Sequence, residues 1–338
     1  MKAIQLSRER KLHLVDIPVP QIAPDQLLVK TGAATICTSD LNDIRENPFD
    51  IPLPVIIGHE AAGTIAAIGA AVRGFRAGDR VAAHPVHPCG ACASCTSGMG
   101  HLCTNMGHFG ITMQGTFAEY FVVRADRVRQ IPEAVPFAAA ALLEPVCVCL
   151  EALTQAKVKP GGSLCIIGDG PFGVLMSRLS PAFSPSSVVL MGRHDFRLSF
   201  APDAVVRINS SISPEPVTEA LRHAGRAGFD AVIQAVGSRR AITDGLDMIR
   251  PKGRLVVFSA ISGLTEVDMT RVHVKELEIV GACNDDDMMD RAVDALIDPA
   301  MEIGKLVTHR FKIGDLQQAF ELAEKGREEA MKVAIEFQ

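Results

Sequence analysis

Four cysteines stand close together in the first third of the chain and could hold a metal ion. Their spacing is C-x2-C-x2-C-x7-C, and they are Cys89, Cys92, Cys95 and Cys103. Four thiolates complete the tetrahedral coordination of Zn²⁺ and leave no position open for a substrate. Disulfide bonds or a [4Fe–4S] cluster would also use four cysteines, although disulfides would need an exported chain and no signal peptide is recognisable. The spacing therefore predicts a structural zinc site.

A second group of residues has the pattern of a nucleotide-binding loop. The apolar segment 163–167 is followed by the sequence GDGPFG and then by VLMSRL, which reads as the start of a helix. A strand, G-x-G-x-x-G and a helix are the context that dinucleotide binding requires, because the glycines let the backbone approach a pyrophosphate at the helix N-terminus. The residues expected to bind the cofactor here are Gly168, Gly170, Pro171, Phe172 and Gly173.

The residues after the second strand of this region indicate which nicotinamide nucleotide is bound. An acidic residue there normally accepts the ribose 2′-hydroxyl of NAD, but this chain has Gly192, Arg193 and His194. The missing carboxylate removes a repulsion, and Arg193 can form paired hydrogen bonds with a 2′-phosphate. Arg197 is a further candidate contact. We therefore predict that NADP(H) is preferred over NAD(H).

A third set of candidate metal ligands is scattered along the chain. Cys37 begins CTSD, His59 and Glu60 belong to GHE, and Glu144 precedes a proline. A thiolate, an imidazole and a carboxylate would supply three protein ligands and leave the fourth position of a zinc ion open, as a catalytic site needs. Each residue alone would be ordinary, since isolated Cys and His are mostly core or hydrogen-bonded residues.

The elements that must position these residues fall into two domains. The chain has 338 residues, 48% of them hydrophobic and 22% charged, which suits a soluble protein with more than one core. Residues 1–150 are rich in short strands and turns, and we expect 284–338 to rejoin them through the final strand MKVAIEF. Between them, 151–283 contains six short apolar strands that predict a doubly wound parallel sheet: 163–167, 188–191, 205–208, 231–235, 255–259 and 277–280.

The charge and cysteine content restrict the partners and the compartment. A formal net charge of -5 without a basic run argues against nucleic acid as the main partner. No segment reads as a signal sequence or a membrane span. Nine cysteines, four of them grouped, suit a reducing environment, so we expect a cytoplasmic protein.

Together these motifs resemble those of the zinc-containing medium-chain dehydrogenases/reductases of the alcohol dehydrogenase superfamily. The similarity is greatest to the sorbitol (polyol) dehydrogenase-like and threonine dehydrogenase-like branch, and it covers nearly the whole chain. It rests on CTSD, GHEAAG, the four-cysteine loop, GTFAEY, the Glu-Pro pair, G-x-G-x-x-G and MKVAIEF. The resemblance implies a GroES-like mixed β catalytic domain with an inserted Rossmann domain, and an active site in the cleft between them.

The resemblance also implies roles for single residues. Cys37 and His59 match zinc ligands. Glu144 matches the position of the third ligand, while Glu60 matches a carboxylate that swings onto zinc in some members, and the sequence leaves both open. Ser39 matches the hydroxyl that hydrogen-bonds the substrate oxygen.

Other positions are matched more loosely or depart from the family pattern. Lys332 matches a basic residue that reaches the cofactor phosphates. Asn42 stands where many relatives have a histidine that ends a proton relay, so the proton must leave by another route, such as a carboxylate near the zinc or Asp43. Asn284 lies near the position of a substrate-binding arginine, and the aspartates at 285–287 that follow it suit either a solvated loop or a pocket for a cation.

The reaction expected from this resemblance is hydride transfer between a secondary alcohol of the polyol, sugar or cyclitol type and NADP⁺ or NAD⁺, which gives a ketone. The enzyme would hold two zinc ions per chain, one catalytic and one structural, and would form a homodimer or homotetramer. An amino-alcohol or aminocyclitol dehydrogenase, a zinc-free reductase of the same superfamily and a non-catalytic nucleotide-binding protein are the alternatives.

Overall fold

The computed structural model describes residues 1–225 and 227–337. Its strands are β1 (Lys2–Leu6), β2 (Leu12–Asp16), β3 (Gln26–Thr35), β4 (Val55–Ile56), β5 (Glu60–Ile68), β6 (Arg80–Ala83), β7 (Val86–His87), β8 (Gly107–His108), β9 (Tyr120–Arg124), β10 (Val128–Gln130), β11 (Ser163–Ile167), β12 (Ser187–Gly192), β13 (Val206–Asn209), β14 (Phe229–Gln234), β15 (Ile249–Val257), β16 (Glu278–Gly281), β17 (Val307–Lys312) and β18 (Lys332–Glu336). Its α-helices are α1 (Thr38–Arg45), α2 (Ala93–Thr96), α3 (Phe137–Ala140), α4 (Leu143–Ala156), α5 (Pro171–Leu179), α6 (Asp195–Leu198), α7 (Pro216–Leu221), α8 (Arg239–Met248), α9 (Met269–Lys275), α10 (Met289–Ile297) and α11 (Leu316–Lys325).

The chain divides into two units. The first combines Met1–Pro145 with Met289–Gln338, and the second is Val146–Met288. The sequence placed the two boundaries after residue 150 and before residue 284. The first unit is therefore discontinuous along the chain, with the second inserted into it.

The main sheet of the first unit brings distant parts of the chain together. Its seven strands follow the order β10-β6-β5-β3-β18-β17, and β9 also pairs with β3. In the antiparallel pairs, Thr35 of β3 lies opposite Glu60 of β5 and also opposite Ala334 of β18. The end of β3 and the starts of β5 and β18 therefore meet at one end of the sheet, and the final strand returns to the first unit as expected.

The core of the first unit is built around aromatic rings on the strands and loops that cover this sheet. Phe109 packs edge-to-face on Phe121 with 5.9 Å between ring centroids, and Phe117 packs on Phe320 at 5.7 Å. Phe109 and Phe117 are completely buried. Because such rings bury large apolar areas in fixed geometry, they hold the loops beside the sheet in place.

The second unit is a six-stranded sheet in which every pair is parallel. The order β13-β12-β11-β14-β15-β16 corresponds to 3-2-1-4-5-6 along the chain, the arrangement of dinucleotide-binding sheets. All five residues of β11 are buried, as expected for a strand covered on both faces. The fold class predicted from the sequence, a mixed β domain with an inserted parallel sheet of Rossmann type, is confirmed.

One helical segment has the length and composition of a membrane span. It covers Phe137–Ala156, which is 20 residues, and 83% of its most apolar window is buried by the protein. A segment covered to this extent is accounted for as a core helix, so its apolarity is weak evidence for a membrane.

Candidate functional site

The register of the main sheet gathers three of the scattered candidate ligands. Cys37 follows the end of β3, and His59 and Glu60 stand at the start of β5. Their ligand atoms all lie within 4.8 Å of one another, and all three residues are buried. A thiolate, an imidazole and a carboxylate are typical zinc ligands, so the donor set fits the metal that the sequence predicted.

Asp40, for which the sequence suggested no role, orients two of these residues. Asp40 lies one turn into α1, and its Oδ2 accepts a hydrogen bond from the backbone N of Cys37 at 2.8 Å. Its Oδ1 lies 3.3 Å from His59 Nδ1. A carboxylate on one ring nitrogen leaves the other nitrogen, Nε2, for a metal and holds the ring in place. The signal that could have revealed this role is the motif CTSD, which places a carboxylate three residues after Cys37.

Glu60 has two further partners inside the protein. Lys332 Nζ lies 2.5 Å from each carboxylate oxygen of Glu60, and Thr35 Oγ1 donates to Oε2. The side chains of Lys332 and Glu60 are 3% and 0% exposed. Burial alone would lower the pKa of Lys332, but the charges of Glu60 and Cys37 reverse the effect and raise it. The sequence assigned Lys332 to the cofactor phosphates; the structure places it on Glu60, and the role at the phosphates stays a prediction.

The remaining predicted residues of this site lie around the three ligand candidates. Ser39 Oγ is 3.4 Å from His59 Nε2. Glu144, at the start of α4, is buried and acts electrostatically on Lys332, but it is outside the cluster of ligand atoms. Asn42 accepts a hydrogen bond from Arg45 at 2.6 Å, so its amide is engaged on the surface of α1.

Asp43 is a buried carboxyl on the same helix. It is 4% exposed, and burial together with the negative charge of Asp40 raises its pKa to about 7. Oδ1 of Asp43 has no hydrogen-bond partner in the described part of the chain. This group can exchange a proton near neutral pH, which keeps it among the candidate proton carriers that the sequence left open.

His108 is a neighbour of this site that the sequence reasoning missed. Its ring centroid lies 5.8 Å from that of His59, and its Nδ1 lies 2.7 Å from the carbonyl oxygen of Phe109. Burial and the neighbouring His59 lower the pKa of His108 to about 3. It is therefore a neutral imidazole that donates through Nδ1 and presents Nε2 as an acceptor.

The four-cysteine loop has the geometry of a tetrahedral zinc site. Four sulfurs at about 2.3 Å from one zinc ion lie about 3.8 Å from each other. The sulfur of Cys92 lies 3.5 Å from that of Cys95 and 3.8 Å from that of Cys103, and the sulfurs of Cys89 and Cys95 are 4.0 Å apart. These separations exclude disulfide bonds, in which the sulfurs are about 2.05 Å apart.

Backbone amides also prepare this loop for anionic sulfur. The backbone N of Cys89 and that of Asn105 donate to Cys103 Sγ, both at 3.3 Å, and the backbone N of Cys92 donates to Cys89 Sγ at 3.4 Å. Backbone amides likewise lower the pKa of Cys92 to about 5, whereas burial and the hydrogen bond with Cys92 raise the pKa of Cys95 to about 12. Because zinc binds thiolates, the loop offers part of the ligand set in anionic form, and binding of the metal must displace the proton of Cys95.

Replacing Cys95 with serine is expected to remove this zinc. The zinc content should fall from about two to about one ion per chain, and the free energy of unfolding should fall by about 4 kcal/mol, because a structural metal stabilises the folded state directly. Metal analysis and urea unfolding measure both quantities. Cys283→Ser is the control, since Cys283 is an exposed cysteine in the second unit and belongs to neither ligand set. Two zinc ions in the Cys95→Ser protein would contradict this assignment.

The glycine loop of the second unit connects β11 to α5 as the pattern required. Gly170 is the N-cap of α5 and Pro171 its first residue. A Cβ on Gly173 would stand 1.8 Å from the carbonyl oxygen of Gly168, whereas one on Gly170 would meet nothing within 4 Å. Gly173 is thus needed for close packing, and Gly170 faces open space where a pyrophosphate can approach. Phe172 packs on Phe258 at 5.3 Å.

The turn after β12 carries the residues predicted to read the nucleotide. Arg193 is exposed, and its guanidinium has no carboxylate partner among residues 1–225 and 227–337. His194 Nδ1 lies 2.9 Å from Asp169 Oδ2, so the glycine loop contacts this turn. Arg197 lies in the short helix α6 and is half-buried.

The acidic segment that follows β16 forms a hydrogen bond within itself. Asn284 is half-buried with a φ of 54°, in the left-handed region. Asp285 is 3% exposed and accepts a hydrogen bond from the backbone N of Met288 at 2.9 Å. The carboxylate of Asp285 therefore stabilises a turn, and the pocket for a cation stays a prediction.

Two family models match the chain. The alcohol dehydrogenase GroES-like domain matches residues 23–133, and the zinc-binding dehydrogenase domain matches residues 186–298. The first match contains Cys37, His59 and the four-cysteine loop, and the second contains the turn after β12. The fold of the first unit is thus GroES-like.

Curated relatives match nearly end to end. An L-threonine 3-dehydrogenase from Edwardsiella ictaluri is 29% identical over 333 residues, which are 96% of this chain and 97% of that protein. A sorbitol dehydrogenase from Bacillus subtilis is 29% identical over 345 residues, which are 99% of this chain and 97% of that protein.

Solved structures agree with these matches. A protein provisionally described as a zinc-binding dehydrogenase from Sinorhizobium meliloti 1021, bound to NADP, superimposes with a TM-score of 0.91 at 26% identity, over 99% of each chain. A short chain alcohol dehydrogenase from Escherichia coli CFT073, in complex with NADH, has a TM-score of 0.91 at 27% identity, over 100% of this chain and 99% of the other.

Proposed function

The chain belongs to the zinc-containing medium-chain dehydrogenases/reductases of the alcohol dehydrogenase superfamily, and from this premise we propose that it is a zinc-dependent dehydrogenase of a secondary alcohol. The substrate is of the polyol, sugar or cyclitol type, the product is the ketone, and NADP⁺ is the preferred hydride acceptor. The protein carries two zinc ions, the catalytic one at Cys37 and His59 and the structural one in the four-cysteine loop.

The observation that carries the proposal is the buried cluster of Cys37, His59 and Glu60. Their ligand atoms lie within 4.8 Å of one another, and Oδ1 of Asp40 contacts Nδ1 of the imidazole, which leaves Nε2 for the metal. A superfamily member without metal chemistry would have no use for a thiol, an imidazole and a carboxylate gathered in this way. When bound there, zinc supplies a Lewis acid that makes the substrate hydroxyl acidic near neutral pH.

The protein groups around the cluster would orient the substrate and move its proton. Ser39 is half-buried and lies 3.4 Å from His59 Nε2, close enough for its hydroxyl to bond the substrate oxygen. Asn42 stands where many relatives have the histidine that ends a proton relay, and its amide cannot take up the proton. The proton therefore passes to a carboxylate, for which Glu144 and Asp43 are the candidates. Glu60 is paired with Lys332 and is less available for this task.

The test is a screen of NADP⁺ reduction with the zinc-loaded protein over sugar alcohols, cyclitols, amino alcohols and small secondary alcohols. Neutral polyols are expected to be the best substrates. Faster turnover of amines than of every neutral alcohol would favour the amino-alcohol alternative. Failure to reduce either nucleotide, with fewer than two zinc ions per chain, would favour a non-catalytic nucleotide-binding protein.

Replacing Arg193 with alanine is expected to lower kcat/KM for NADP⁺ by about tenfold or more and that for NAD⁺ by less than about threefold. A charged hydrogen bond to a phosphate contributes about 1.5–3 kcal/mol, which NAD⁺ cannot gain. Steady-state kinetics with both nucleotides measure the change. Arg222→Ala removes an exposed arginine outside the turn and is the control. Equal losses with both nucleotides would contradict the assignment of Arg193, and a wild-type preference for NAD⁺ would contradict the choice of cofactor.

The remaining parts of the proposal concern assembly and compartment. We expect a homodimer or homotetramer, which mass measurement in solution would show. We also expect a cytoplasmic location, because a reducing environment keeps the thiols of the four-cysteine loop available for zinc.

A further inference from the structure

The glycine loop contains a carboxylate that binding of the pyrophosphate does not explain. Asp169 stands between the first two glycines of GDGPFG, where only the backbone is needed for the phosphates. The residue is 8% exposed, and its side chain reaches across to the turn after β12. From this contact we propose that Asp169 is a positioning residue for the nucleotide: it fixes Arg193 and His194 so that they recognise the 2′-phosphate of NADP(H).

One oxygen of Asp169 holds the turn at three points. Oδ2 accepts hydrogen bonds from the backbone N of Arg193 and that of His194, both at 2.7 Å. It also accepts one from His194 Nδ1 at 2.9 Å. Three donors on one carboxylate oxygen define the path of the backbone and the orientation of the imidazole. Asp169 thus connects the loop that binds the pyrophosphate to the turn that faces the adenosine ribose.

The neighbouring strand is built to admit this side chain. A Cβ on Gly192, the last residue of β12, would stand 2.3 Å from Cβ of Asp169 and 2.7 Å from its Oδ2. Such approaches are far inside van der Waals contact, so any other residue at Gly192 would displace the carboxylate. Gly192 is therefore needed because Asp169 occupies the space that a side chain would fill.

The opposite side of the turn is held as well. Ser210 donates to the carbonyl oxygen of Gly192 through its backbone N at 2.7 Å and through Oγ at 2.8 Å. Ser211 Oγ donates to the carbonyl oxygen of Arg193 at 3.0 Å. With its backbone fixed from both sides, Arg193 still has an exposed side chain without a carboxylate partner among the described residues. A fixed backbone with an uncommitted guanidinium suits an anion, because only the side chain, and not the backbone, loses freedom when the anion binds.

A competing role for Asp169 is direct recognition of NAD(H), since a carboxylate near β12 can accept the ribose 2′-hydroxyl. Oδ1 of Asp169 has no hydrogen-bond partner among the described residues and could take that part. However, Oδ2 is already used by three donors, so the carboxylate cannot bind the 2′- and 3′-hydroxyls with both oxygens. The two roles use different oxygens, and substitutions can separate them.

The experiment measures the dissociation constants of NADPH and NADH by fluorescence titration for the zinc-loaded wild type, Asp169→Ala and Asp169→Asn. If Asp169 positions the turn, Asp169→Ala weakens NADPH binding by about tenfold or more and NADH binding by less than about threefold. Asp169→Asn keeps an oxygen for the donors of Arg193 and His194, so it should restore NADPH binding to within about threefold of the wild type.

Each alternative has its own signature. If Oδ1 reads the ribose of NADH, both substitutions weaken NADH binding more than NADPH binding, which overturns the proposal. If Asp169 acts only through its charge, both strengthen NADPH binding, because a negative charge near the 2′-phosphate has been removed, and this too overturns it. Asp195→Asn removes another carboxylate from the same turn and is the control for charge. Retained NADH binding shows that the variants are folded.

The inference rests on the proposed use of NADP(H), but the two fail differently. A wild type that binds NADH more tightly contradicts the proposed cofactor preference, whatever the variants do. A wild type that prefers NADPH, with an unchanged ratio of the two constants in Asp169→Ala, contradicts only the role of Asp169.

Discussion

Replacing Cys37 with serine is expected to abolish activity while the protein stays folded. The ligand atoms of Cys37, His59 and Glu60 lie within 4.8 Å of one another, and loss of the thiolate leaves too few strong donors to retain zinc. The zinc content should fall from about two ions to about one per chain. A Lewis acid contributes several kcal/mol to such a reaction, so a loss of about 5 kcal/mol lowers kcat/KM by about 10⁴-fold.

Two comparisons make this result specific. Cys283→Ser removes an exposed cysteine of the other unit and should keep both zinc ions and full activity. Cys95→Ser should also lose one zinc ion, but with a large loss of stability, whereas Cys37→Ser should change the free energy of unfolding less. If Cys37→Ser retained two zinc ions and its kcat, the proposed catalytic site would be wrong.

Replacing Lys332 with methionine is expected to destabilise the protein by about 3–5 kcal/mol. Its Nζ lies 2.5 Å from both carboxylate oxygens of Glu60, and both side chains are buried. Methionine fills the space but removes the ammonium that contacts both oxygens of Glu60, which is the costly way to break a buried pair. Urea unfolding of the zinc-loaded proteins measures the loss, and zinc content is determined for every variant.

The double variant Glu60→Gln/Lys332→Met tests whether the unpaired charge is the cause. With the charge of Glu60 also removed, the double variant should be less destabilised than the sum of the two single variants, with a coupling of about 1–3 kcal/mol. Lys325→Met breaks an exposed pair with Glu321 and should leave the stability unchanged. Additive losses in the double variant would show that Lys332 acts by packing alone.

The local motifs were readable in the sequence because their geometry depends on a few neighbouring residues. The strand, G-x-G-x-x-G and helix appear in the structure as β11, the glycine loop and α5. The four cysteines of the loop lie within 15 residues, so their spacing alone predicts a common site. The final strand β18 also lies within the segment MKVAIEF, where the sequence predicted a strand. By contrast, α1 went unrecognised, because its eight residues are short and polar, and its capping by Asp40 becomes clear only with the backbone in place.

Contacts between distant residues could not be derived in this way. The register of β3 with β5 and β18 joins Thr35, Glu60 and Lys332, which are separated by up to 297 residues. The resemblance assigned Lys332 to the cofactor phosphates, and no property of the sequence pointed to Glu60 as its partner. In the sequence, Asp169 likewise looks like one of the variable positions of a glycine motif. Only the structure shows that its carboxylate contacts the turn after β12.

By itself, the sequence determined the family, the two-unit fold and the residue types that could bind zinc and a nucleotide, because these follow from short motifs and from the period of apolar residues. The tertiary structure alone decided which carboxylates serve which groups: Asp40 for His59, Glu60 for Lys332, and Asp169 for the turn at Arg193. The reason is physical. A buried charge must be paired, and strand register and packing determine its partner. Both depend on residues far apart in the chain, so no short sequence motif reveals the partner.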